Sequence, residues 1–490
     1  METQLPALLI VVPLLAAPLC VIIRHRRLVQ PFALLVAWAT FVLSIAMALR
    51  VHSDGTWVYA LGDWAAPWGI EYRIDTLSCI LAIIVSGIGA WVLTYAPRSV
   101  AHEIEEGRHY LFYTAYLLCI TGLLGITITG DLFNVFVFLE VSSLSGYVLI
   151  ALGRDRRSLM AALQYLVLGT IGATFILIGI GLMYMMTGTL NMADMAVQLA
   201  EVGNNRTILV AFAFFTVGVF IKMAVFPLHA WLPNAYTYAP SVVTAFLAAT
   251  ATKAAVYVLL RFVFSVYGIE FATFHRLPTI LLVLALVGIF MASTVAIFQQ
   301  NVKRILAYSS VAQIGYMVLG ISFFSVTGLT AGIVHLFNHA LIKGGLFLAM
   351  GCVILRVGSV RLKDMAGIGR QMPWTMLAWV LGGLSLIGVP ATVGFVSKWY
   401  LISAAMESGR WWLAALVLLS SLLSVVYVWR VVEVAYFQPS PEGREPLTEA
   451  PLSMLVPTWL LVGASWFFGW FDLAGSLART AALTLIGGGS

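Results

Sequence analysis

Five ionisable side chains stand where an apolar sequence should hold none: Glu140, Lys222, Lys253, Lys343 and Lys398. Their chemistry suits proton transfer. A desolvated ammonium holds its proton weakly because burial disfavours the charged form, and a carboxylate beside it restores the hold. A Glu140–Lys222 contact that forms and breaks would therefore swing the lysine between holding and releasing a proton, as a pump requires and a static salt bridge does not. A charge at the bilayer centre costs about 2.5–3.5 kcal/mol on insertion scales. Five in one chain exceed what packing needs, so a functional line outweighs a set of structural ion pairs. Arg261, Arg430 and Glu433 also fall in apolar stretches, but toward helix ends, where long side chains snorkel. They read as structural.

A second pattern is His335-Leu-Phe-Asn338-His339-Ala-Leu-Ile-Lys343. Steps of four put His335, His339 and Lys343 on one face of one helix. Histidines that titrate near neutral pH, with a lysine, make a hydrogen-bonded relay. The H-x-x-x-H spacing also suits zinc, but residue 336 is Leu where the metalloprotease motif places Glu. No nearby Cys, Asp or Glu completes a set, and no metal site is expected. Ser309, Ser310, Gln313 and Asn338 either hold waters between stations or serve as helix–helix hydrogen bonds.

These groups need a membrane-spanning scaffold. The chain is 61% hydrophobic and 10% charged over 490 residues, against about a quarter charged in soluble domains. Lipid must be its solvent. The net charge of +6 reads as orientation charge in loops, so no nucleic-acid partner is expected. Cys20, Cys79, Cys119 and Cys352 lack metal or redox spacing, so no iron–sulfur cluster, haem or other cofactor is expected, and no disulfide framework. Leu5 to Ile23 lacks a basic leader and an A-x-A site and reads as a first transmembrane helix, not a removed signal.

A crossing helix needs about 20 apolar residues. That ruler gives fourteen spans, near 5–23, 31–49, 76–96, 110–129, 131–152, 158–187, 207–227, 240–267, 278–299, 303–323, 327–355, 373–393 (continuing past a break to 406), 411–437 and 452–476. Between the second and third, Trp57 to Arg73 alternates like a small extracytoplasmic hairpin. Of the 27 Lys and Arg, fifteen fall in odd-numbered loops and six in even loops and tails. That asymmetry puts odd loops in the cytoplasm and both termini outside.

Two spans carry breaks beside a lysine. Pro227 and Pro233 follow Lys222, and Gly388 and Pro390 precede Lys398. Proline removes a backbone donor and clashes with the preceding turn, which is tolerated at membrane depth only where protein or a wet cavity satisfies the backbone. The breaks lie five spans apart. An odd offset reverses the crossing direction, as in inverted-topology repeats with ion sites at discontinuous helices.

Several segments then carry one resemblance over essentially the whole chain: Gly130-Asp131-Leu-Phe-Asn134-Val-Phe-Val-Phe-Leu-Glu140 with Ser142-Ser-Leu-Ser145; Lys222 with Pro227-Leu-His229-Ala-Trp-Leu-Pro233; Ala239-Pro240 and Thr252-Lys253; Lys303-Arg304-Ile-Leu-Ala-Tyr308-Ser-Ser310 with Gln313-Ile-Gly-Tyr316; and His335 to Gly345. The chain resembles the antiporter-like subunits of respiratory complex I, membrane-bound hydrogenases and the Mrp multisubunit cation/proton antiporters. Among these it looks most like the D-type component of the Mrp antiporters. Residue 398 is Lys where the M-type complex I subunit is expected to carry Glu, Asn234-Ala-Tyr-Thr-Tyr-Ala-Pro240 looks Mrp-like, and no long lateral helix is expected after span fourteen. Ala391-Thr-Val stands where the family would place a second proline and a Phe.

The resemblance implies an all-α polytopic membrane protein of about fourteen transmembrane helices, with two inverted five-helix repeats and two discontinuous helices. Its expected units are 1–109 (helices 1–3 with the hairpin), 110–267 (first repeat, helices 4–8), 278–437 (second repeat, helices 9–13) and 452–490 (helix 14). It further implies Glu140 and Lys222 as a coupled pair, Lys253 as bridge to a central axis, the His335/His339 helix as relay and Lys398 as terminal lysine. The expected function is a proton-translocating subunit of a sodium (monovalent cation)/proton antiporter in a bacterial cell membrane, working with other membrane subunits and surrounded by lipid. It would be a transporter and not an enzyme. The alternative is a proton-pumping antiporter-like subunit of a complex I-type NADH:quinone oxidoreductase or membrane-bound hydrogenase. The buried charges argue against a non-transporting scaffold.

Overall fold

In hydrocarbon every backbone donor and acceptor must be satisfied within the protein, which leaves helices as the economical solution for this sequence. The structure, a computed structural model, describes residues 4–487. Its N-terminal part runs α1 (Leu5–Ile23), α2 (Arg26–Asp54), a hairpin of β1 (Trp57–Ala60) and β2 (Glu71–Ile74), and α3 (Thr76–Glu103). The strands pair antiparallel, Trp57 opposite Ile74, as the alternation predicts.

Then follow α4 (His109–Ile128), α5 (Leu132–Ala151), α6 (Arg156–Thr187), α7 (Met192–Val202), α8 (Arg206–Met223), α9 (Trp231–Tyr238), α10 (Ser241–Leu260) and α11 (Gly268–Phe274). The next group is α12 (Leu277–Phe298), α13 (Val302–Ser322), α14 (Val326–Val357), α15 (Ile368–Gln371), α16 (Pro373–Ile387), α17 (Val393–Glu407) and α18 (Trp411–Val432), before α19 (Leu452–Trp470) and α20 (Leu473–Ile486). Among the described residues thirteen helices are long and apolar enough to cross a membrane. One further crossing, the twelfth in chain order, is split between α16 and α17, fifteen residues each, neither long enough alone.

Both breaks are satisfied by protein. α8 stops where Ala224 turns left-handed, at φ +59°, just before Pro227. The Trp231 indole N–H then donates at 2.9 Å to the Ile221 carbonyl, which also accepts the Ala224 N–H. Pro233 is a correction. It lies in the first turn of α9, where a missing N–H is harmless, so it helps to start a helix and breaks none. At the second break Gly388 and Ala391 take φ +91° and +71°, and the Thr392 hydroxyl caps α17. The two halves approach so closely that a Cβ on Gly394 would lie 1.8 Å from the Ser385 carbonyl oxygen.

Two stretches follow one local plan. Asp131 bridges Asn191, and Asn301 bridges Arg361; both members recur after 170 residues (301 less 131, 361 less 191). α6 and α14 each have 32 residues, start at 156 and 326, and end on left-handed Gly188 and Gly358. α10 and α18 each run on into a π-helix, Arg261–Tyr267 and Glu433–Phe437.

Three expectations need revision. The segment expected to hold helix 14 alone carries two helices, because α19 ends at Trp470 and the shorter α20 follows. α7 was not separable from its loop by hydropathy. Lys303, counted with the loop charges, is buried, and its Nζ donates to the Ala239 carbonyl at 2.7 Å. Removing it from the loop count leaves the asymmetry standing.

Candidate functional site

Asp131 caps α5 through the Asn134 N–H at 2.7 Å, which fixes the phase of the helix that follows. Glu140 and Ser143, three residues apart, therefore share a face. Across from them α8 packs on α6. That approach depends on glycine, since a Cβ on Gly218 would lie 2.6 Å from the Gly172 carbonyl oxygen. Lys222 sits in the last turn of α8, and its Nζ donates to Glu140 Oε1 and Ser143 Oγ, both at 2.9 Å. The ammonium thus also lies at the negative end of the helix dipole. The Lys222 side chain is 5% exposed and that of Glu140 22%.

The expected contact forms, with Ser143 as an additional partner that sequence reasoning missed. A hydrogen bond to a charged group is worth about 1.5–3 kcal/mol. Ser143→Ala leaves the carboxylate in place, so it should slow proton movement in membrane vesicles by about tenfold or more without stopping it. A cavity of ≈ 20 Å³ lies between Lys222, Ser142, Ser143 and Tyr165 on one side and Ala251, Ala254 and Ala255 of α10 on the other. It has room for about one water, on the way to the helix that carries Lys253.

The middle of the bundle is α14, which packs against α3, α10, α13, α16, α17 and α19. Its stripe faces inward: His335, His339 and Lys343 are 2%, 1% and 0% exposed. The two imidazoles lie parallel with centroids 6.3 Å apart. His335 Nδ1 meets Ser397 Oγ at 2.9 Å. Neither ring nitrogen of His339 bonds another protein group among the described residues. Lys343 Nζ donates to the Leu306 carbonyl at 2.7 Å and to the Ser309 hydroxyl. Lys253, fully buried on α10, donates to the Ala248 carbonyl and, at 3.4 Å, to Thr252 Oγ1. Asn338 Nδ2 donates to the Val393 carbonyl at 2.6 Å, tying α14 to the second break. Ser310 returns to the Leu306 carbonyl of its own helix. Gln313 is buried with its side-chain nitrogen free of protein partners among the described residues.

At the second break Lys398 lies just inside α17, and its Nζ reaches back to the Ile387 carbonyl at 2.6 Å and to Ser421 Oγ at 2.9 Å. Like Lys222, it places its ammonium at the carbonyl end of a half-helix. The Tyr316 ring lies 5.2 Å from that Nζ and 5.4 Å, centroid to centroid, from the His335 ring. The structure thereby gathers Lys398, Tyr316, His335 and His339 into one contiguous row. Ser397, Ser421 and Tyr316 were missed. Serines within apolar helices give no sign of what they face, and Tyr316 lay unremarked inside a longer motif.

Arg261 is a further correction. It does not snorkel; it pairs with Asp75, its side chain 12% exposed. Among the described residues the ion pairs buried in the bundle are this one and Lys222–Glu140.

A sequence model of the family described as NADH:quinone oxidoreductase/Mrp antiporter, transmembrane, matches residues 129–424. The chain is 42% identical over 482 residues to the N-type component of the NADH-quinone oxidoreductase of Desulforudis audaxviator, with 94% of each chain covered. It is 31% identical over 444 residues to the D-type component of the Na(+)/H(+) antiporter of Alkalihalophilus pseudofirmus, covering 91% of this chain and 88% of that one. Its fold matches a chain in the solved Mrp complex from Dietzia sp. DQ12-45-1b with a TM-score of 0.90 at 27% identity, over 99% of this chain and 97% of the other.

Proposed function

The chain belongs to the NADH:quinone oxidoreductase/Mrp antiporter transmembrane family, and from that membership we propose that it is the proton-translocating subunit of a multisubunit sodium/proton antiporter. The observation that carries the reading is the buried Lys222–Glu140 pair at a helix break. It is followed inward by lysines and histidines that lack a carboxylate partner among the described residues. In the proposed cycle Glu140 moves off Lys222, the ammonium loses its counter-charge, and its proton passes by way of a water toward Lys253. His339, His335 and Lys398 then carry it in the membrane plane to the second break. Glu140, Lys222, Lys253, His335, His339, Lys343 and Lys398 are the proton-carrying groups of this proposal. Ser309, Ser310, Gln313 and Asn338 support them.

The recurrence of local structure after 170 residues supports reading helices 4–8 and 9–13 as inverted repeats. The loop charges favour a bacterial cell membrane orientation with both termini and the hairpin outside. The part of Glu140 left exposed fits a face covered by a partner subunit, since a bare carboxylate edge in hydrocarbon is costly.

The relative named for NADH-quinone oxidoreductase, at 42% identity, favours a second reading, a proton pump driven by a redox complex. One purification separates them. The complex isolated through this chain, reconstituted with a pH dye inside the liposomes, should move protons when a sodium gradient is imposed. Flavin and iron–sulfur absorption in the purified complex, with proton movement driven only by NADH or another reductant, would replace antiport with redox-driven pumping.

A further inference from the structure

Where the hairpin closes over the helix bundle there is a cavity of ≈ 360 Å³, lined by Glu71, Arg73, Asp75, Ala193, Tyr257 and Arg261 among others. Its floor is a built polar network. Arg261, at the start of the π-helix, donates to Asp75 Oδ1, to Tyr257 Oη at 3.0 Å and to Ser78 Oγ at 3.1 Å. Tyr257 Oη in turn donates to the Thr127 carbonyl at 2.7 Å and meets Ser78 Oγ at 3.1 Å. Asp75 and Tyr257 are 5% and 3% exposed.

The position of this network on α10 gives it direction. Lys253, Tyr257 and Arg261 follow one another at steps of four, on one face of the helix. Tyr257 thus stands one turn from Arg261, which lines the cavity, and one turn from Lys253, the fully buried lysine of the relay. A π-helical turn, often found at functional sites, begins at the arginine. A purely structural ion pair would need neither the cavity above it nor the hydroxyl below it.

We propose that this vestibule is the hairpin-end port of the relay, where a proton enters or leaves at Asp75 and passes through the Tyr257 hydroxyl to Lys253, with Arg261 as the gate. The proposal rests on the reading of this chain as a proton translocator. With the gate closed, Asp75 is tied to Arg261 and the Tyr257 proton is committed to the Thr127 carbonyl. Burial pushes the Asp75 carboxyl up, but the Arg261 charge and the Ser78 hydrogen bonds outweigh it and hold the group below the usual carboxylate range. Release of Arg261 removes that hold and lets Asp75 take a proton from the vestibule. The Ser78 hydroxyl, which meets Tyr257 Oη at 3.1 Å, takes this proton from Asp75 and passes its own to Tyr257 Oη. The tyrosine gives its proton to a water on the Lys253 side, so both hydroxyls end neutral and one proton has moved inward. The charged and titratable groups around Asp75 are Arg261 at the start of the π-helix, Tyr257 from α10 and Cys79 from α3, with Glu71 and Arg73 of β2 lining the same cavity.

The test follows proton flux with a pH dye in membranes holding the full complex, driven either by a cation gradient or by the complex's own redox reaction. The result therefore does not depend on which of these drives transport. Tyr257→Phe keeps the ring and removes only the hydroxyl. It should remove the response of flux to pH on the hairpin face, while flux from the first break to the second, which does not pass through the port, continues. Asp75→Asn should do the same. A wild-type response to pH on the hairpin face in Tyr257→Phe overturns the port. So does an Asp75→Asn complex that is merely less abundant or less heat-stable. A membrane-impermeant thiol reagent applied to whole cells should label Ala193→Cys, against four native cysteines that are all buried. Exclusion of the reagent from that position overturns the vestibule as an opening to the outside, and does so independently of the flux result.

Discussion

Glu140→Gln in the assembled complex should cut proton flux to below about one-hundredth of wild type while the complex still assembles. The glutamine keeps the shape and an acceptor for Lys222, so the α5–α8 contact survives, but the charge that holds the ammonium is gone. Removing one partner of a buried pair costs about 3–5 kcal/mol as long as the other stays charged. Even the lower figure exceeds a hundredfold at about 1.36 kcal/mol per tenfold. Lys222→Ala should be equally inactive, for want of the group that carries the proton. Combining Glu140→Gln with Lys222→Met should recover stability, since no unpaired charge remains, yet restore no flux. Dye-monitored exchange in vesicles, normalised to the amount of complex, checks all three. Normal exchange in either single variant would refute the coupled pair.

The second large effect is a variant that folds well and does not work. Neither ring nitrogen of His339 has a protein partner among the described residues, so His339→Phe breaks no protein–protein hydrogen bond and replaces one ring by another. His335→Phe gives up only the Ser397 contact. The double variant should therefore melt within a few degrees of wild type, yet lose most of its flux, because no titratable group remains between Tyr316 and Lys343 on that face. A structural role for the two rings predicts the reverse, lower stability with flux per complex retained.

How much of this was legible in the sequence follows from the kind of signal each feature leaves. The spans are written in hydropathy. The breaks are written in Pro227, Gly388 and Pro390, residues whose backbone chemistry does not depend on their neighbours. The inward face of α14 follows from steps of four among His335, His339 and Lys343. Even the Glu140–Lys222 contact was legible, since two charges at that depth are stable only together.

What stayed hidden depends on which distant residue faces which. Asp75 lies 186 residues before Arg261, just after the hairpin, and nothing in the apolar stretch around Arg261 points to it. Ser143, Ser397 and Ser421 look like any small residue at a helix–helix contact. The short α7 and α20 fall below the length at which hydropathy identifies a helix. The shared plan of the two halves shows in the sequence only as two breaks five spans apart; its local detail is carried by backbone features such as the Gly188 and Gly358 caps, which sparse residue identities do not reveal.

Flux through Lys398→Ala tests the in-plane path most directly. If protons cross from the first break to the second along Lys222, Lys253, His339, His335 and Lys398 while the Arg261 gate keeps the hairpin-end port shut, the path is in series. Losing the ammonium at its far end should then stop flux as completely as Glu140→Gln does, although the two residues sit in different halves. The measurement is dye-monitored proton flux in proteoliposomes holding equal amounts of wild-type, Glu140→Gln and Lys398→Ala complex under one imposed gradient. The account predicts that both variants fall to the background of protein-free liposomes. Half or more of the wild-type flux in Lys398→Ala, with Glu140→Gln inactive, would mean that the first half conducts protons by itself, and would contradict a path shared by both.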